Sequence, residues 1–218
     1  MCGRFATTLP PEAMARLFDA APANDLPEGP DFNVCPTARI SVVRDGRRLV
    51  AMRWGFLPHW YKSPTDGPLL INARAETIAE KPAFRAACRA RRCLIPTAGF
   101  YEWNRDGAEK LPWFIRRTDG QPLVMAGIFQ EWQRGEDHLV TCAIVTTSAN
   151  EVLEPIHHRM PVILEPKDWP LWLGEAGKGA ALLMKPAAAG VLESYRVSTE
   201  VNSNRASGPE LMEPVVVE

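Results

Sequence analysis

The sequence predicts an α+β domain whose core is a mainly antiparallel, curved, barrel-like β sheet with short flanking helices. Three observations carry that prediction. Between residues 93 and 147, five runs rich in apolar, β-branched and aromatic residues follow one another with short breaks, at 93–95, 99–105, 112–117, 123–133 and 138–147. Short consecutive strands joined by tight turns pair antiparallel, and such sheets curl. The later breaks carry turn residues at Asp106-Gly107, Asp119-Gly120 and Arg134-Gly135, which favour backbone shapes a strand cannot use. Upstream, 39–44 and 47–53 alternate in the same way around Asp45-Gly46, a two-residue hairpin signal.

The remaining elements are read in chain order. Pro10-Pro11-Glu12 opens a short helix through Phe18, with proline at its favoured early position and Leu17 and Phe18 on the buried side. Residues 21–36 hold four prolines and read as a surface loop. The stretch Trp54-Gly55-Phe56-Leu57-Pro58-His59-Trp60 is too aromatic for an idle linker and too rich in Gly and Pro for a regular element. Leu69-Leu70-Ile71 leads a strand into Asn72-Ala73-Arg74. Residues 81–90 read as a helix, with Arg85, Arg89 and Arg92 along one face, either a solvated basic face or a phosphate-facing stripe. Ser148-Ala149-Asn150-Glu151 has the spacing of a helix N-cap with an acidic residue three on. A proline-bounded loop, 155–161, precedes a strand at 162–164. Helical segments follow at 167–173 and 178–184, then a strand at 194–198 and a loose tail from Ser207.

Length and composition fit one domain, 1–218, with ample chain for a core. Apolar and charged fractions of 46% and 23% are those of an ordinary globular protein. No run approaches the roughly 18 apolar residues of a membrane span, and the start has no secretory pattern, so a cytoplasmic protein without a membrane partner is expected. Five cysteines, an odd number with no C-x-x-C pair, suggest neither a disulfide framework nor a zinc site. The net charge of -1 argues against a bulk polyanion binder. Its distribution is uneven: only 6 of 25 basic residues but 10 of 26 acidic ones lie after position 149, which leaves the first two thirds net basic.

Four places could do chemistry. Cys2 becomes an N-terminal 1,2-aminothiol if Met1 is removed; with an amine pKa of about 7.7–8.0 and a thiol pKa of about 8.5, both groups are partly nucleophilic near neutrality. Such a pair traps an aldehyde as a Schiff base that closes to a thiazolidine. Asn72 and Arg74, two apart on a strand, share one side. Glu102 lies among aromatics in Gly99-Phe100-Tyr101-Glu102-Trp103; if buried it is suited to acid/base work near neutral pH. His157 and His158 sit together beside Arg159, and histidine exchanges protons at physiological pH. No third ligand at a recognisable spacing makes them a metal site, and their neighbours do not say which of the two matters.

Met1-Cys2-Gly3-Arg4-Phe5, Asn33-Val34-Cys35-Pro36, Trp54-Gly55-Phe56, Ile71-Asn72-Ala73-Arg74-Ala75-Glu76-Thr77, Gly99-Phe100-Tyr101-Glu102-Trp103, the His157-to-Leu164 segment and Val197-Ser198 through Val201-Asn202 stand in the order found in the SRAP (SOS response-associated peptidase) family. The sequence resembles that family over about residues 2–204. The resemblance implies a sensor of abasic sites in single-stranded DNA that crosslinks to them through the N-terminal cysteine. It implies Cys2 as nucleophile, with Asn72, Glu102 and His157 lining the site; His157, not His158, matches the family's Ile-His pattern. Arg4, Arg74 and Arg159 would hold phosphates, with Trp103 and the Trp54 region as stacking surface. No small-molecule cofactor or metal is called for, and a monomer, nucleoid-associated when bound to DNA, is expected. Rival readings are a thiol peptidase with a Cys2–His157 dyad, a non-enzymatic single-strand binder, and an N-terminal-nucleophile amidotransferase. The last also begins Met-Cys-Gly, but its further Arg and Asn-Gly-Glu motifs are missing here.

Overall fold

The structure is a computed structural model and describes residues 2–23, 25–104 and 110–215. Its strands are β1 (Phe5–Thr7), β2 (Ala21–Pro22), β3 (Asp31–Val34), β4 (Arg39–Arg44), β5 (Arg48–Trp54), β6 (Asn72–Arg74), β7 (Arg92–Thr97), β8 (Gly99–Asn104), β9 (Leu111–Arg117), β10 (Leu123–Arg134), β11 (Asp137–Ser148), β12 (Arg159–Pro161) and β13 (Leu192–Arg196). Its helices are α1 (Pro11–Phe18), α2 (Arg85–Ala90) and α3 (Trp169–Leu173). The α+β class with a curved, barrel-like core is what the alternation and turn residues predicted.

The barrel closes by a parity rule. β11–β10, β10–β7, β7–β4 and β4–β5 all pair antiparallel. A ring of five strands cannot alternate direction all the way round, so one junction has to be parallel. It falls between β5 and β11, at Arg53↔Thr141 and Trp54↔Cys142. Alternate residues of these strands feed two cores, as a pleat with a period of two requires. Ile40, Val42, Cys93, Ile95, Met125, Phe129, Cys142 and Ile144 join one cluster, whereas Val43, Leu94, Ala126, Ile128, Ala143 and Val145 join the other, with Met14 and Phe18 of α1 and Trp169 and Trp172 of α3. Both faces are covered, which is why these strands read as nearly continuous apolar runs. A second sheet, ordered β13-β9-β8-β1-β3, sends Phe5, Phe100, Ile115 and Leu192 into the first cluster.

Several local expectations are corrected. The proline-rich stretch 21–36 is not simply loop: β2 pairs in parallel with β5, and β3 pairs with β1. Pro22 is tolerated because β2 is an edge strand, where a missing N–H costs little. Leu17 is 40% exposed while Met14 and Phe18 are buried, because the side chain four residues before Phe18 shares its face. Helix α2 starts at Arg85, and Arg92 is not part of a basic face: it opens β7 and donates to the carbonyls of Trp172 and Cys88. No helix follows Ser148, which is still in β11; Asn150 instead caps a run of turns, accepting from Leu153 N through both its carbonyl and Oδ1. The strand expected at 162–164 comes earlier, as β12, with Ile163 in an isolated bridge to Met125. From Ser207 to Val215 the tail is docked, with Leu211 buried and Val215 N bonded to Arg196 O at 2.9 Å. The turn read at Asp106-Gly107 lies outside the described residues. Among the described residues no helix is long and apolar enough to cross a membrane.

Candidate active site

Cys2 lies three residues before the start of β1, the strand held between β8 and β3. Phe5 sits opposite Phe100, and Tyr101 N donates to Arg4 O at 2.9 Å, so antiparallel pairing carries the N-terminal residues toward Glu102 and Trp103. Cys2 is fully buried and Glu102 is 3% exposed. Burial, and after it the Glu102 charge, push the Cys2 thiol well above the usual range; the Arg4 backbone N–H acts in the opposite sense. Thiolate is therefore scarce here at neutral pH.

Asn72 reaches Cys2 from the other sheet. It leads β6, which runs parallel to β11 with Asn72 opposite Ile144, and its Nδ2 donates to the Cys2 carbonyl oxygen at 2.9 Å. Asn72 Oδ1 is buried and has no hydrogen-bond partner among the described residues. One amide thus pins the N-terminal residue and presents an acceptor beside it.

His157 comes from the turn between β11 and β12. Its Nδ1 accepts from Arg159 N at 3.0 Å, which in the neutral ring places the proton on Nε2. The ring stacks on the exposed His158, centroids 4.4 Å apart. Asn104 Nδ2 donates to Pro155 O at 3.2 Å, and Asn104 shares a strand face with Glu102, so this turn abuts the end of β8. Leu153 and Met160, on either side of His157, belong to the same buried cluster as Cys2.

The expected DNA-facing residues divide. Arg74 is exposed at the end of β6. Arg4 Nη1 is committed to Asn33 Oδ1 at 2.6 Å and Val201 O at 3.0 Å, with its guanidinium 5.9 Å from the Trp103 ring centre. Trp103 is half-buried, its indole nitrogen donating to Asn202 Oδ1. Arg159 forms a bidentate pair with Glu76, at 2.7 and 2.9 Å, and also donates to Thr146 O; its side chain is 11% exposed. Trp54 cannot offer a stacking face. It is fully buried, bonded to Ile71 O and packed on Phe5, because the parallel junction with β11 turns it inward. In the same segment Trp60 is exposed, on an excursion that leaves at Phe56 and returns at Leu70, two residues before Asn72. Asn33, Glu76 and Asn202 were given no role from sequence although all three lie in the quoted motifs; only the contacts reveal them. Among the described residues no group of three or more His, Cys, Asp or Glu could hold a metal.

Residues 1–204 match the family described as "SOS response associated peptidase (SRAP)". The chain belongs to the SRAP family. Curated relatives span its whole length. It is 39% identical to "Abasic site processing protein YoqW" of Bacillus subtilis (strain 168), over 98% of this chain and 99% of the relative. It is 34% identical to "Abasic site processing protein YedK" of Escherichia coli (strain K12), over 99% and 100%. A solved structure, of a protein from Bacteroides thetaiotaomicron, superposes with a TM-score of 0.87 at 26% identity and covers 99% of this chain and 100% of that one.

Proposed function

We propose that this chain senses abasic sites in single-stranded DNA, acts there as a monomer, and shields the lesion by a covalent bond from Cys2 once Met1 has been removed. The names of its relatives supply the substrate class. The observation that carries the chemistry is the buried Cys2 beside Glu102 with its carbonyl held by Asn72. The two nucleophiles of one residue act in turn: the freed α-amine adds first, and the sulfur closes on the same carbon.

In that sequence His157 Nε2–H hydrogen-bonds the sugar ring oxygen; the bond from that oxygen to the anomeric carbon breaks, and the anomeric hydroxyl's proton is relayed to the ring oxygen as the sugar opens to its aldehyde. The amine adds to the carbonyl carbon, the carbinolamine loses water, and an imine results. The sulfur bonds to the same carbon while Glu102 relays the thiol proton to the imine nitrogen, closing a thiazolidine with one water released in all. Asn72 Oδ1 accepts from the amine N–H and aims it. The same groups run the steps backwards when the crosslink reverses. Arg74 supplies phosphate contact, which gives salt-dependent affinity, and exposed Trp60 and half-buried Trp103 supply base stacking, which tolerates any base.

The test is a denaturing gel after incubation with abasic or intact single strands. A shifted band with abasic DNA alone, lost in Cys2→Ala and mapped to Cys2 by mass spectrometry, is expected. An adduct at Cys35, Cys88, Cys93 or Cys142, or one that persists in Cys2→Ala, overturns the reading.

A further inference from the structure

We infer that Arg196, stacked on Trp113, binds a backbone phosphate of the DNA strand from the sheet opposite Arg74, at a place to which no motif pointed. Strand register sets it there. Trp113 on β9 stands opposite Glu102 on β8, and Arg196 on β13 stands opposite Trp113. Residues directly opposite in antiparallel strands share a face, so the three side chains form one row that starts at the carboxylate beside Cys2. Neighbouring strands lie about 4.8 Å apart, which puts the Arg196 backbone roughly 10 Å from that of Glu102. The Arg196 guanidinium lies over the residue between them, 5.8 Å from the Trp113 ring centre.

What singles out Arg196 is that the protein gives it no acceptor. Every other half-buried arginine among the described residues donates to a carbonyl or a carboxylate. The Arg196 side chain makes no hydrogen bond or ion pair among them, and its Nε is buried without a partner. The Trp113 indole N–H beside it is buried and unpaired as well. Buried donors are nearly always paired, and a cation drawn partly out of water without a counter-charge is costly, so this corner favours an anion. The open part of the guanidinium is its outer edge, Nη1 and Nη2, whose parallel donors match the two free oxygens of a phosphodiester. The indole face beneath holds that edge in one plane. An abasic sugar brings no base to the site, which leaves its flanking phosphates as the anions within reach. Arg74, two residues after the Asn72 that bonds Cys2 O, comes from the other sheet, so the strand meets a cation on each side of Cys2.

This rests on the proposed single-strand function, and the experiment separates the two. Parent and Arg196→Ala proteins are titrated by fluorescence anisotropy at several salt concentrations. The strands carry an uncrosslinkable tetrahydrofuran site, and in each one a single phosphodiester near it is replaced by an uncharged methylphosphonate. Arg196→Ala should weaken binding to the unmodified strand roughly tenfold, the scale of a hydrogen bond to a charged group, and lower the salt slope by about 0.7. At one flanking position the methylphosphonate should cost the parent about as much and cost Arg196→Ala nothing further, because both changes remove one contact. Arg196→Lys, which keeps the charge without the fork, should keep the slope and lose part of the affinity. Should Arg196→Ala fail to fold, Arg196→Gln carries the same comparison. If Arg196 only packs on Trp113, the variant melts lower while its salt slope and every methylphosphonate effect match the parent's, which overturns the inference. Additive losses at every position overturn it too, since the contact then lies elsewhere. A parent that binds no single strand defeats the proposed function and this inference with it, whereas strands bound equally by parent and Arg196→Ala defeat this inference alone.

Discussion

Replacing Asn72 by alanine tests the contact on which the site turns. The substitution removes the 2.9 Å bond from Nδ2 to the Cys2 carbonyl in a place where Cys2 is fully buried. A buried acceptor left without its partner costs about 1–3 kcal/mol. If that loss is felt wholly in the transition state, adduct formation slows by roughly 5- to 150-fold, at about 1.4 kcal/mol per tenfold. If it is felt wholly in the ground state, the melting temperature falls by about 2–4 °C per kcal/mol for a chain of this size and the rate is spared. Single-turnover crosslinking to a uracil-excised strand, read on a denaturing gel beside a thermal melt, separates the two. Asn72→Asp should be slower still, since it loses the donor and sets a second carboxylate near Glu102. An Asn72→Ala protein that crosslinks at the parent rate would refute the positioning argument, whatever its melting temperature.

Burial raises the thiols of Cys93 and Cys142 above their ordinary range, so both should resist alkylation at pH 8 until the protein unfolds. In the unfolded chain these protons leave first; the stability they confer is therefore intact below a pH of about 8.5 and should fall above it by about 1.4 kcal/mol per thiol per pH unit, measurable by urea titration between pH 7 and 10. A methyl group added at Gly99 would overlap the Ile115 carbonyl oxygen and the Phe114 ring, so Gly99→Ala should part β8 from β9, destabilise by more than about 2 kcal/mol and misplace Glu102; a normal melt with a normal rate would refute this. Arg74→Ala should lower the salt slope of single-strand binding by about 0.7, whereas Trp60→Ala should weaken binding by about 1–3 kcal/mol at an unchanged slope, both by fluorescence anisotropy.

The later strands of 93–147 were legible because each is a local pattern: an apolar run, then turn residues, then another apolar run. The predicted run 123–133 is β10 within a residue, and 138–147 is β11 within a residue at each end. β2 and β3 were not legible. Each is short, and its partners, Arg48 and Leu49 for one and Phe5 for the other, lie far along the chain, so nothing local marks it as a strand. Trp54 was misread for a related reason. An aromatic cluster signals importance, but whether an indole faces solvent depends on the parallel junction with β11, and that junction follows from ring parity rather than from any neighbouring residue.

The candidate site divides along the same line. Cys2, Asn72, Glu102 and the His157-His158 pair stood out by residue type and neighbours, and only the family resemblance chose His157; a hydrogen bond joins Asn72 to Cys2, the Glu102 charge acts on the Cys2 thiol, and the His157 turn lies against the end of β8. The arginines could not be sorted in that way. All carry the same charge in the sequence, and the partner of a guanidinium is a matter of register: Arg159 meets Glu76 only because β12 and β6 both reach Thr146, and Arg4 meets Asn33 only because β1 and β3 are neighbours. Of the three arginines that the family resemblance marked for DNA, Arg74 is the one exposed, at the end of the strand that Asn72 begins, which is why the proposed function gives it the phosphate contact that the salt-slope measurement tests.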